Sequence, residues 1–306
     1  MDLGIVRRLT RLATDDGFFC VAALDHPENY LALLDPDITR VSYETAVESK
    51  LDLGAALARH ASGLLLDPVY ALGQAIATGA LPRDTGLVAP IEVLAYRPDT
   101  PPGWDTATRL RPKWTPEKMA KLGVDGVKLI LFYRADLTET AAEQRKLVAD
   151  LAADCHAWRL PLIVEPIWYP LPGEEPGETQ RADAIVASAA EFTLLGLDIL
   201  KMQYPGSAGA CRDLDAAATV PWVLLSEGAG FDDFAAQMEV AARAGASGYI
   251  AGRAVWGDAV GRTAALGRVG ERLDALNAIV RAHGRPWAER VPAGAITPTW
   301  YEAYGE

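Results

Sequence analysis

Apolar residues along the chain fall into short dense runs, and most of these give way to an alanine-rich stretch whose apolar positions recur at helical spacing. Eight runs carry the pattern of buried strands: FFCVAALD (18–25), SGLLLDP (62–68), GLVAPIEVLAY (86–96), GVKLILFYR (126–134), PLIVEPIWYP (161–170), DILKMQYP (198–205), PWVLLSEG (221–228) and GYIAGRAVW (248–256). Helices are predicted over 42–61, 138–158, 183–196 and 231–246, with a shorter one over 115–123. Strands that alternate with helices build a parallel sheet, and eight is the number that closes a (β/α)8 TIM barrel of the α/β class. A last amphipathic helix is predicted within 262–284. We therefore expect one domain, a barrel with its terminal helix over 1–283, and a tail over 284–306 that packs on the barrel or on a neighbouring subunit. The Pro-rich connection from 97 to 114 is long for a barrel loop and is expected to be a lid or a surface insertion.

Composition narrows the function classes. With 306 residues, half of them hydrophobic, the chain can bury one large core, and its net charge of −12 argues against nucleic acid or an anionic membrane as partner. The N-terminus lacks a long apolar segment and no stretch is long enough to span a bilayer, so a cytoplasmic protein is expected. Cys20, Cys155 and Cys211 form no CxxC pair, and the four histidines show no metal-ligand spacing, so neither a disulfide framework nor a metal or other cofactor is expected.

Chemistry in this architecture collects at the C-terminal ends of the strands. Asp25 and His26 stand at the end of the first run and Asp67 at the end of the second; Glu92 lies in the third, Lys128 in the fourth, Glu165 in the fifth, Lys201 in the sixth, Ser226 in the seventh and Arg253 in the eighth. Lys128, Glu165 and Lys201 are charges set in apolar runs on neighbouring strands. Inward-pointing side chains there converge, and a second ammonium against an apolar wall would lower the pKa of the first, which favours a nucleophilic amine. The plainer alternative is a buried ion pair. Asp25 is either a further acid or base or the N-cap of the next helix; Asp67, before Pro68, reads as turn chemistry. Ser226, Gly228, Gly252 and Arg253 sit at the last two loops, where barrels commonly bind phosphate through backbone N–H groups and a helix N-terminus. Glu227 suits such a site only if it points away.

These segments resemble the class I tagatose 1,6-bisphosphate aldolase family, which includes the sulfofructose phosphate aldolases. The resemblance is carried by CVAALDH, ASGLLLDP, KLGVDGVKLILFYR, LIVEPIWYP, DILKMQYP, VLLSEG and GASGYIAGRAVW taken together. It implies a metal-independent lyase that reversibly cleaves a phosphorylated ketose to dihydroxyacetone phosphate and an aldehyde. Lys201 falls on the family's imine-forming lysine, Glu165 and Lys128 on its acid–base and charge-tuning residues, and Asp25 on its strand-one carboxylate. Ser226, Gly228, Gly252 and Arg253 fall on its anion-binding loops, and His26, at the end of the first run, is a further candidate substrate-binding residue. The chain departs from the family where Asp-Gln-Arg is replaced by Asp25, His26 and Pro27, and where a glutamate two residues after the imine lysine is replaced by Gln203. The aldehyde half is thus uncharged or differently held. A transaldolase or related imine-forming lyase, a metal-dependent aldolase and a non-catalytic sugar-phosphate-binding barrel are the alternatives, and a homo-oligomer is left open.

Overall fold

The computed structural model describes residues 2–93, 108–291, 296–302 and 304. Eight parallel strands close into a barrel in chain order: β1 (Phe19–Leu24), β2 (Gly63–Leu66), β3 (Gly86–Pro90), β4 (Gly126–Phe132), β5 (Leu162–Ile167), β6 (Ile199–Met202), β7 (Trp222–Leu225) and β8 (Gly248–Ala251). The helices are α1 (Leu3–Leu12), α2 (Pro27–Leu34), α3 (Tyr43–Leu57), α4 (Leu72–Thr78), α5 (Pro116–Leu122), α6 (Thr138–Ala157), α7 (Glu178–Phe192), α8 (Ala208–Ala217), α9 (Phe231–Ala244), α10 (Arg253–Trp256), α11 (Leu266–His283) and α12 (Trp287–Arg290). No helix among the described residues is long and apolar enough to cross a membrane.

The strands are shorter than the apolar runs, because the apolar pattern continues into the loops at the barrel rims. β3 stops at Pro90, and Glu92 beyond it pairs in an antiparallel bridge with Leu110. The helix expected over 42–61 ends at Leu57, so His60 lies in the turn that follows. Most of the connection expected to be a lid or insertion, residues 97–107, lies outside the described residues.

The N-terminal half of the barrel is packed apolar. The inward residues Val21, Leu65, Val88, Ile163, Ile199, Val223 and Ile250 form one cluster with Ile5, Leu9 and Leu12 of α1. α1 was not expected from the sequence; Asp2 caps it by accepting from the Gly4 N–H at 2.7 Å, and its apolar residues at i, i+4 and i+7 close the barrel floor. That closure requires Gly86 at the start of β3, since a Cβ there would stand 2.6 Å from Arg11 O and 2.9 Å from Leu12 Cδ2. Trp287 of α12 completes the floor, stacking on Phe19 with ring centroids 6.3 Å apart. Farther along the tail, Trp300 and Tyr301 are 42% and 63% exposed, and the Tyr304 hydroxyl donates to Asp2 at 3.3 Å.

Strand register decides which polar residues meet above this floor. Ile130 pairs with Glu165 across β4 and β5, and Val164 with Leu200 across β5 and β6. The alternation of side chains along each strand then turns Lys128, Glu165 and Lys201 to the barrel interior.

Candidate active site

Five buried charges converge at the C-terminal half of the barrel: Asp25, Glu92, Lys128, Glu165 and Lys201. Lys128 Nζ is at the centre, 2.9 Å from Asp25 Oδ2, 2.8 Å from Glu92 Oε1 and 3.2 Å from Glu165 Oε2. Lys201 Nζ lies 2.8 Å from the same Glu165 oxygen. The arrangement is therefore larger than a single ion pair, with Glu165 touching both ammonium groups.

The environment sorts these groups. Burial opposes the charge on Lys128, but Asp25, Glu92 and Glu165 outweigh it and hold the ammonium pKa well above the usual lysine range. Burial likewise opposes ionisation of Asp25, and His26, Lys128 and Lys201 together bring its pKa well below the ordinary carboxylate value. Glu165 is also lowered, burial being overcome by Lys201 and then Lys128. Glu92 goes the other way: burial dominates, Lys128 offsets it only in part, and the pKa rises. Its second oxygen, Oε2, is buried without a hydrogen-bond partner, which leaves its charge less well compensated. Glu165 stands between the two lysines, and the lowering of an ammonium pKa by its neighbour, expected from the sequence, is not found at Lys128, whose pKa is raised. Carboxylates surround Lys128, and Lys201 is the lysine that opens onto free space.

That space is a cavity of about 300 Å³ at the barrel mouth, lined by Asp25, His26, Glu165, Lys201, Ser226, Gly228, Gly252 and Arg253. Phe132, Ile130, Ile167, Leu225 and Trp256 give it apolar walls. All the candidate residues except Lys128 thus border the cavity, and Lys128 lies directly beneath it against Asp25 and Glu165. Asp25 is not an N-cap: α2 begins after His26, without a side-chain cap. The His26 Nε2 atom is 3.7 Å from Asp25 Oδ2, and burial pushes the imidazole pKa down to about 4 although Asp25 pulls it up.

At the far wall, Gly252 N–H donates to Ser226 Oγ at 3.4 Å, tying the β7 and β8 loops together. Gly228 has φ +78°, a conformation that favours glycine, and a Cβ there would stand 3.6 Å from Arg253 Nη2. The expected helix N-terminus contributes little, because α10 has only four residues and α9 opens with Asp232 and Asp233. The donors on this wall are therefore Arg253, Ser226 and loop N–H groups. Glu227 also lines the cavity, but both its carboxylate oxygens are engaged: Arg181 donates to Oε2 at 2.7 Å and Gln203 to Oε1 at 2.5 Å.

Two features were not assigned from the sequence. Glu92 was located on its strand but given no role, since only convergence in space shows that it completes the shell around Lys128. Asp67 does accept from the Val69 and Tyr70 N–H groups of its turn, but it also forms a fully buried pair with Lys50 of α3 at 2.5 Å. Lys50 in turn donates to Leu24 O at 2.7 Å, immediately before Asp25.

The chain is similar to known aldolases. A family model described as DeoC/LacD family aldolase matches residues 46–258. A tagatose 1,6-diphosphate aldolase of Streptococcus pneumoniae is 25% identical over 327 residues, covering 93% of this chain and 97% of that protein. One from Lactococcus lactis is 25% identical over 331 residues, covering 93% and 98%. The solved structure of a Schiff base forming fructose-1,6-bisphosphate aldolase shares the fold, with a TM-score of 0.62 at 20% identity over 90% of this chain and 99% of that one.

Proposed function

The chain belongs to the DeoC/LacD family of class I aldolases, carbon–carbon lyases, and on that premise we propose that it cleaves a phosphorylated ketose through an imine on Lys201. The products are dihydroxyacetone phosphate and an aldehyde, and the reaction is reversible. The observation that carries this reading is the contrast between the two lysines. Lys128 is enclosed by three carboxylates and kept charged, whereas Lys201 has the Glu165 contact alone among these carboxylates and faces the cavity.

Proton transfer from Lys201 to Glu165 across their 2.8 Å contact frees the amine, which adds to the ketone carbon to form a carbinolamine. Glu165 returns that proton to the departing hydroxyl, water leaves, and a cationic imine remains beside the carboxylate. Glu165 then takes the proton of the C4 hydroxyl. The C3–C4 electron pair moves into the imine, the aldehyde departs, and the resulting enamine is protonated at C3 before hydrolysis releases dihydroxyacetone phosphate. Lys128 serves as the fixed cation that keeps Glu165 ionised between these transfers, and Asp25 with Glu92 holds Lys128 in place.

The phosphate is received by Ser226, Gly228, Gly252 and Arg253, and His26 borders the substrate nearer Asp25. The names of the relatives favour a substrate resembling tagatose 1,6-bisphosphate; the family resemblance also admits one resembling sulfofructose 1-phosphate. A panel of these sugars, fructose 1,6-bisphosphate and unphosphorylated ketoses, assayed for dihydroxyacetone phosphate or dihydroxyacetone, tests the reading. Cleavage is expected with a phosphorylated ketose and lost in Lys201→Arg. No cleavage of any member, or undiminished cleavage by the variant, contradicts it.

A further inference from the structure

We infer that Gln203, Glu227 and Arg181 form a clip that holds the β7 loop in the shape that receives the substrate's phosphate. The inference rests on the aldolase reading for the identity of that anion, and it concerns residues that reading does not use. Gln203, just beyond β6, is 1% exposed. Its Oε1 accepts from the Trp168 N–H at 2.7 Å; a backbone N–H can only donate, so the amide orientation is fixed and Nε2 must face Glu227. Glu227 has both oxygens engaged, one by Gln203 and the other by Arg181, whose second Nη donates to Tyr204 O at 2.7 Å. The clip therefore joins the loops after β5, β6 and β7.

Glu227 adopts φ +46°, in the left-handed region that side-chain-bearing residues avoid unless their surroundings impose it. It lies between Ser226 and Gly228, two of the cavity residues proposed to hold phosphate. Its conformation carries the chain into the φ +78° turn at Gly228 that places this residue beside Arg253. The same contacts keep the Glu227 carboxylate engaged with Gln203 and Arg181, which leaves Arg253 for the substrate's anion. The identity of residue 203 matters as well as its size: a glutamate there would set two carboxylates in contact where an amide now donates to one.

The test is an exchange of the pair, read first through inorganic phosphate. The phosphate dissociation constant, from thermal stability against phosphate concentration, is expected to rise ~10-fold or more in Gln203→Glu. In the double variant Gln203→Glu/Glu227→Gln, the carboxylate now at position 203 still accepts from the Trp168 N–H and from the amide now at position 227, and only the long 3.3 Å donation from residue 203 to Trp168 O is lost. Phosphate affinity is expected to return to within ~3-fold of the parent. In the cleavage assay the single variant should raise KM more than it lowers kcat, and the exchange should reverse the KM change. Unaltered phosphate affinity in Gln203→Glu, or a loss that the exchange does not repair, overturns the clip. Because phosphate binding needs no imine, this result is separate from whether Lys201 is the nucleophile.

Discussion

The roles proposed for Lys128 and Lys201 follow from the number of carboxylates around each. Replacing Lys128 by Met would leave Asp25, Glu92 and Glu165 crowded without their cation. A stability loss on the order of 3 kcal/mol is expected, seen as a fall in denaturation midpoint, together with loss of cleavage. A variant as stable as the parent would mean that the three carboxylates do not depend on this ammonium. His26 gives a pH signature. Its pKa is pushed down to about 4 from an ordinary 6.5, chiefly by burial, in the presence of Asp25, Glu165, Lys128 and Lys201. Between those values the unfolded chain takes up a proton that the folded chain refuses, so this residue makes stability fall as pH drops from 6.5 to about 4. Lowered carboxylates such as Asp25 act below that window, and Glu92, with its raised pKa, acts in the opposite direction. His26→Gln is expected to lose less stability than the parent across the same window; parallel curves would contradict the assignment. Lys128, Glu165 and Lys201 were legible in the sequence because a charge in the middle of an apolar strand run has few bland explanations. Glu92 was less so, since its part depends on where the side chain ends in space.

At the scale of elements, the alternation of apolar runs and helical stretches showed the eight strands and the long helices, and it overran at the rims where loops are themselves apolar. Short helices such as α2, α4 and α8 left little periodic signal, as 7 to 10 residues complete only two to three turns. α1 is a different case. LGIVRRLTRL carries the i, i+4, i+7 pattern, but nothing in the sequence says that this face lies across the end of the barrel and meets Gly86. Gly86→Ala is expected to cost about 1–3 kcal/mol by overpacking against Arg11 O and Leu12. The cavity lies at the opposite end, so KM for the cleaved sugar should be unchanged. An unaltered melting temperature would mean that α1 can move aside.

For the whole molecule, the division is between an apolar floor and a charged upper half, with the cavity opening onto the latter. That division follows from which runs carry polar residues late, and it was readable once eight runs were counted. The wall proposed to receive the anion could be named in its residues but not in its physics, because the shortness of α10 and the charges at the start of α9 leave Arg253, Ser226 and loop N–H groups, not helix ends, as its donors. Within the cluster of carboxylates, an ammonium from Lys128 occupies the central position that a bound metal ion would need. Cleavage is accordingly expected to survive dialysis against EDTA, and loss restored by a divalent cation would favour a metal-dependent route. The central claim is that Lys201 is the nucleophile. Reduction with sodium borohydride in the presence of dihydroxyacetone phosphate, followed by peptide mass analysis, tests it most directly. The account predicts a covalent adduct on the peptide containing Lys201, absent in Lys201→Arg; an adduct on Lys128 or another lysine, or none at all, would contradict it.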